Sequence, residues 1–214
     1  MIEAVVAAAD AGVALGYKLY KDPVGICLIV YSVAALALII ERLLAWSRFR
    51  GRTRRTAGEV QELLANPKRE ELKEAFETSD SPLAGVMSYV LKHDTSESPE
   101  TTLLLLDDAL EDAGGLYRRN LVLLAALAGT APFLGLLGTV LGIMNTFTSI
   151  MEKGFGGPAV ISAGIAQALQ TTAVGLVIAV PAFIAYNLFN RATENAVRDL
   201  RTQSNRIFVA LGDL

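Results

Sequence analysis

Residues 120–151 read NLVLLAALAGTAPFLGLLGTVLGIMNTFTSIM, and residues 154–190 read GFGGPAVISAGIAQALQTTAVGLVIAVPAFIAYNLFN. Neither stretch contains Asp, Glu, Lys, Arg or His, and each is longer than thirty residues. An apolar run of this length reads as a membrane-crossing helix, since about 20 residues span a ~30 Å hydrocarbon core. At 1.5 Å per residue a continuous helix of this kind measures more than ~45 Å, so both are expected to project beyond the bilayer. Between them, Met151 to Pro158 holds Glu152, Lys153 and a cluster of glycine and proline, the composition of a short loop. The two long runs are therefore expected to form an antiparallel hairpin.

A third uncharged run, Val24 to Ile40, is extended by Leu43, Leu44 and Trp46. Hydrophobic residues make up 52% of the 214 and charged residues only 19%, and the charges sit between and around these three runs. That segregation marks bilayer spans separated by aqueous segments. Arg42, Arg48, Arg50, Arg52, Arg54 and Arg55 follow the first run on one side only, which the positive-inside rule keeps cytoplasmic. Arg118 and Arg119 precede the second run, and Arg191, Arg198, Arg201 and Arg206 follow the third. Alternation then places every arginine cluster inside, with the N-terminus periplasmic and the C-terminus cytoplasmic. The first run has acidic residues before it and arginines after it, the reverse of a cleaved signal peptide.

The expected organisation is all-helical. Residues 1–22 hold an amphipathic periplasmic helix over 2–19, 23–46 the first transmembrane helix, and 47–119 a cytoplasmic helical region. The second transmembrane helix covers 120–151, a periplasmic loop 152–158, the third transmembrane helix 159–190, and a cytoplasmic tail 191–214. Pro23 suits the first position of a helix. Within the cytoplasmic region, Val60 to Leu64, Leu72 to Phe76, Leu83 to Leu91 and Thr102 to Leu110 suggest short amphipathic helices. Asn66-Pro67 and Ser79 to Pro82 read as turns.

Soluble chemistry finds little support. Cys27 is the only cysteine and His93 the only histidine, which excludes an intrachain disulfide and a multi-histidine metal site. There is no glycine loop for nucleotides, no nucleophile motif and no metal-ligand spacing. No catalytic residue, metal or cofactor is expected, and the net charge of -3 gives no support to nucleic-acid binding.

The faces of the two long runs carry more. At 100° per residue, Ala128, Ala131, Pro132, Gly135, Gly138, Thr139, Gly142, Thr146 and Ser149 share one sector of the second span. Phe133, Leu136, Leu137, Val140, Leu141, Met144 and Phe147 lie opposite. On the third span Gly164, Ala168, Gly175, Ala179 and Ala182 make a small seam with Thr172 at its edge, and Gln167, Gln170 and Thr171 adjoin it. Pro181 removes one helical hydrogen bond and is an expected kink. Small seams allow close helix approach or leave room for a pathway, and periodicity alone does not choose. An amide or hydroxyl in hydrocarbon needs a hydrogen-bond partner, so these groups are expected to face protein or water.

Residues Ala131-Pro132-Phe133-Leu134-Gly135-Leu136-Leu137-Gly138-Thr139-Val140-Leu141-Gly142-Ile143-Met144-Asn145-Thr146-Phe147 resemble the second-span signature of the ExbB/TolQ family. Gly164-Ile165-Ala166-Gln167-Ala168-Leu169, Thr171 to Leu176 and Ile178 to Ala182, with Tyr186-Asn187, resemble its third. The chain is thus identified as a member of the MotA/TolQ/ExbB superfamily. Three spans place it nearer ExbB and TolQ than the flagellar stators, which normally have four. The resemblance implies a homopentameric ring in the inner membrane whose pore is lined by spans two and three. It also implies a dimeric single-span partner of the ExbD/TolR kind in that pore, carrying the aspartate that takes up and releases the ion. Thr139 and Thr172 match the family's pore threonines. Gln167 stands where the family usually carries a glutamate, and an amide cannot titrate. The Thr171-Thr172 pair resembles sodium-type stators, and oxygen ligands suit a hard cation, so proton and sodium coupling both stay open. A non-conducting membrane scaffold of the same fold is the alternative function, and an enzyme is not expected.

Overall fold

A computed structural model describes residues 22–63, 69–93, 98–154 and 157–211. Every regular element among them is helical: α1 (Pro23–Leu63), α2 (Arg69–Thr78), α3 (Pro82–His93), α4 (Pro99–Lys153) and α5 (Pro158–Leu211). The expected N-terminal helix over 2–19 and the turn at Asn66-Pro67 lie outside the described residues.

The helix ends follow from local chemistry. Among the described helices α1, α3, α4 and α5 all open on a proline, whose missing N–H costs nothing at a first position. The Asp22 carboxylate accepts from the Val24 N–H at 3.3 Å ahead of α1, and the Ser81 hydroxyl accepts from the Ala84 N–H at 3.1 Å ahead of α3. Helix α4 stops where Gly154 takes φ +66° and its N–H donates to the Ile150 carbonyl at 3.0 Å. Only glycine adopts that left-handed geometry without penalty.

Helices α1, α4 and α5 each contain a segment long and apolar enough to cross a membrane: Pro23–Ser47, Tyr117–Glu152 and Pro158–Leu211. Two expectations are corrected. The stretch from Val60 to Leu63 is not a separate short helix but the end of α1, which runs unbroken from Pro23. Thr102 to Leu110 is not a separate short helix but the opening of α4, which continues unbroken to Lys153. Between these parts only Gly114 and Gly115 weaken the helix, and no proline interrupts it before Pro132. Glycine costs about 1 kcal/mol in a helix interior, too little to end one held by long packed flanks. Helical structure also runs through Pro132 and Pro181 without a break.

Two compact units share these helices. The first comprises the described residues up to Ile40 together with Val122–Asn187. Its core is Val24, Leu28 and Ala35 of α1, Leu124, Ala128 and Ala131 of α4, and Ile178, Ala179 and Ala182 of α5. Large side chains on the other faces are exposed, among them Val33 on α1, Phe133 and Met144 on α4, and Phe183 and Ile184 on α5. Such a surface is unfavourable in water and suits lipid or other helices in a membrane.

The second unit comprises Glu41–Leu121 and Leu188–Leu214. Its core joins Leu72 and Phe76 of α2, Leu83, Met87 and Val90 of α3, Leu106 and Leu110 of α4, and Leu200, Ile207 and Phe208 of α5. The α3 residues recur at the three-and-four spacing of one helix face. Buried Arg42 donates to the Tyr117 carbonyl at 2.7 Å and pairs with Glu41 at 2.7 Å, while the Asn120 amide donates to the other Glu41 oxygen at 2.6 Å. A polar clamp thus ties α1 to α4 within this unit.

Candidate functional site

Within the first unit, α4 and α5 meet along their small seams. A Cβ on Gly135 would stand 2.9 Å from the Thr172 Cα and the Thr171 carbonyl oxygen, and one on Gly142 would stand 2.8 Å from the Ala168 Cβ. One on Gly175 would lie 2.7 Å from the Ala131 carbonyl oxygen. Gly164 faces Thr146 just as closely. At Gly135 and Gly175 the atoms met under 3 Å are backbone, and at Gly142 the Ala168 Cβ, none of which can rotate away, so glycine is required there by close approach. The stripes read from the sequence are therefore two halves of one joint inside the hairpin. Their opposite faces are turned out, with Phe133 71% exposed.

At the centre of this joint, three hydroxyls converge on one backbone carbonyl. Thr171 donates to the Gly135 oxygen at 3.1 Å, and Thr172 reaches the same oxygen at 3.0 Å. The Thr139 hydroxyl stands 3.2 Å from that of Thr172, donates to the Leu136 carbonyl at 2.6 Å, and lies 3.4 Å from the Gly135 oxygen. Thr171 also reaches the Ala168 carbonyl at 2.8 Å. Thr139 and Thr171 are buried, at 7% and 5% exposure, and Thr172 is half-buried at the edge of the seam. Every hydroxyl has a partner, as a low-dielectric setting demands.

The expected site residues thus divide. Thr139, Thr171 and Thr172 come together with Gly135. Gly138 lies beneath the Thr171 hydroxyl, where a Cβ would be 2.5 Å from its oxygen. Ala168 and Gly175 are buried in the seam, Pro132, Gly142 and Gly164 are half-buried, and Pro181 is exposed. Gln167 is not part of the hydroxyl cluster. It is exposed and lines an open cavity of about 360 Å³ with Asn145, Thr146, Ser149 and Gln170, and Asp22 also borders it.

Reading side chains alone missed the Gly135 carbonyl, because no residue letter marks a backbone acceptor shared by three hydroxyls. It also left Asn145 without a role. An amide on an otherwise apolar span was the available signal, and Asn145 joins Gln167 at the open cavity.

Chemically, the cluster can relay a proton between hydroxyls or offer oxygen ligands, but it cannot hold a charge. The sequence of 120–151 and 159–190 supplies no carboxylate, amine or imidazole. Among the described residues no group of three or more His, Cys, Asp or Glu side chains could hold a metal ion.

Residues 63–202 match the model of the MotA/TolQ/ExbB proton channel family. Over 184 residues the chain is 34% identical to the biopolymer transport protein ExbB of Pseudomonas putida, a match covering 77% of this chain and 54% of that protein. An ExbB-like biopolymer transport protein of Synechocystis is 30% identical over 168 residues, covering 78% of this chain and 80% of its own length. The ExbB of Aquifex aeolicus is 44% identical over 81 residues, 38% of this chain and 55% of its own length. The chain spans about half the length of the Pseudomonas relative. With three membrane-length helices, an all-helical fold and a family match across both long helices, the chain belongs to the MotA/TolQ/ExbB proton channel family, on its ExbB branch.

Proposed function

We propose that this chain is the ring-forming channel subunit of an inner-membrane motor driven by the ion-motive force. Five copies surround a dimeric single-span partner of the ExbD/TolR kind, and proton flow through the ring is converted into mechanical work on the envelope. The N-terminus is periplasmic and the C-terminus cytoplasmic, in keeping with the arginine clusters. The observation that carries the reading is the Thr139–Thr172 hydroxyl pair, 3.2 Å apart and gathered on the Gly135 carbonyl within spans that lack ionisable carboxylates. A polar track of this kind guides an ion but does not load it. The group that binds and releases the proton then comes from the partner, and Gln167, an amide, does not substitute for it.

Reconstitution of the ring with its partner in liposomes tests the proposal. Expected is a proton flux that follows the pH gradient at fixed sodium, and a marked loss of that flux in Thr172→Ala with the ring still assembled. Flux that follows sodium at fixed pH would reassign the ion to sodium, with Gln167, Asn145 and the hydroxyls as oxygen ligands. No flux under either gradient would reject the motor reading in favour of a non-conducting scaffold.

A further inference from the structure

The Gly135 carbonyl is asked to serve more donors than it has lone pairs. An sp² oxygen accepts two hydrogen bonds readily. In the unbroken helix α4, one lone pair is committed to the N–H four residues on, that of Thr139. One remains, and three hydroxyls lie around it: Thr171 at 3.1 Å, Thr172 at 3.0 Å, and Thr139 at 3.4 Å, the last drawn off by the Leu136 carbonyl at 2.6 Å and leaving the first two to compete. Each hydroxyl has a single proton to give. Each also has somewhere else to send it: Thr171 to the Ala168 carbonyl at 2.8 Å, Thr172 to the Thr139 oxygen at 3.2 Å.

We propose that Thr171 is a positioning residue that sets the direction of the Thr139–Thr172 hydrogen bond by competing with Thr172 for the free lone pair of Gly135. This rests on the channel reading above. When Thr171 donates to Ala168, Thr172 donates to Gly135 and presents its own lone pairs to the Thr139 proton. When Thr171 swings to Gly135, Thr172 must donate to Thr139, whose own hydroxyl then keeps donating to the Leu136 carbonyl 2.6 Å away. A rotation of one buried hydroxyl therefore reverses donor and acceptor along the pair.

Thr171 fits this role and not that of an ion ligand. Although it borders the open cavity beside Gly138, it is only 5% exposed and its hydroxyl is engaged by two backbone carbonyls, whereas Thr172 pairs with the Thr139 hydroxyl. The space in which its hydroxyl turns exists because Gly138 has no side chain: a Cβ there would come within 2.5 Å of the oxygen and 2.7 Å of the Thr171 Cβ.

Two measurements on the full-length ring with its partner test the inference. The first is a thermal double-mutant cycle of Thr171→Val, Thr172→Val and the double variant. Valine keeps the volume and removes only the hydroxyl. If the two compete, either single change leaves Gly135 served by the other, so the drop in Tm of the double variant exceeds the sum of the single drops. Additive drops would overturn the competition. The second is ion flux: Thr171→Val is expected to lower it about fivefold, the scale of one hydrogen bond, in a ring of native size, and Thr171→Ser to restore it. Native flux in Thr171→Val, or failure of Thr171→Ser to restore it, would overturn the positioning role. Should the valine variant yield no ring, Thr171→Ala removes the same hydroxyl and is judged by the same two outcomes. A native ring without any flux would instead reject the channel reading and with it the role in conduction, and the Tm cycle would still decide the competition.

Discussion

The two units of this chain are held together by opposite means. In the unit that contains the hairpin, helices α4 and α5 meet through Gly135, Gly138, Gly142, Gly164 and Gly175, and their largest side chains face outward. In the other unit, Phe76, Leu83, Met87, Leu106, Leu200 and Phe208 fill the interior, and charges such as Asp107 and Arg201 lie on the surface. The difference is one of solvent. In water, removing large apolar surface drives assembly at about 25 cal/mol per Å². In lipid that drive vanishes between helices, and close packing with satisfied hydrogen bonds replaces it. One helix therefore changes its inward-facing alphabet along its length, as α4 does from Leu106 and Leu110 to Ala131 and Gly135.

The largest effect is expected where the backbone itself fills the space. Gly135→Leu forces a side chain into the Thr172 Cα and the Thr171 carbonyl oxygen, so the hairpin should fail to close and no ring should form. Gly129 is the control: it lies on the same helix, is exposed, and a Cβ there meets nothing within 4 Å. Size-exclusion profiles of Gly135→Leu and Gly129→Leu should separate sharply. A ring of native size and Tm in Gly135→Leu would mean that the seam does not join these helices. A smaller loss is expected in the other unit. Phe208 is fully buried, and Phe208→Ala should cost about 3–5 kcal/mol through lost burial and the cavity left behind. Proteolysis of that unit should accelerate while the hairpin resists, and equal sensitivity of both units would argue against separate modes of cohesion.

Much of this contrast can be read from residues. Pro23, Ser81-Pro82, Gly154 and Pro158 mark helix ends in the letters themselves, since each acts through its own backbone or a side-chain oxygen two or three residues away. The two seams follow from helical periodicity. Helix continuity does not. Charge begins again at Arg191, yet α5 continues to Leu211, and the uncharged run begins at Asn120, yet α4 begins at Pro99. A change of solvent alters which side chains are suitable but leaves the backbone hydrogen bonds intact. At the site, Gln167 and Thr171 sit about 40° apart on one helix face, so periodicity treats them alike. Both border the open cavity, but Thr171 is buried against Gly138, which makes room for it, whereas Gln167 is exposed. That choice is made by the partner helix and the register of the hairpin, which a single helix does not encode.

The smallest effect should come from the most visible charge pair. Asp107 on α4 and Arg201 on α5 form an ion pair, but their side chains are 58% and 53% exposed. Water screens such a pair and ordering two flexible side chains costs entropy, so it contributes at most about 1 kcal/mol. Asp107→Asn should therefore shift Tm far less than Phe208→Ala. The loss should shrink further as salt is raised, because surface charges are screened within a Debye length of about 10 Å at 0.1 M. A loss comparable with that of Phe208→Ala, or one insensitive to salt, would show that the α4–α5 contact in this unit depends on charge and not on its apolar interior. The division between a lipid-adapted joint and a water-adapted core would then need redrawing, since the aqueous half would owe its cohesion to a directional contact just as the hairpin does.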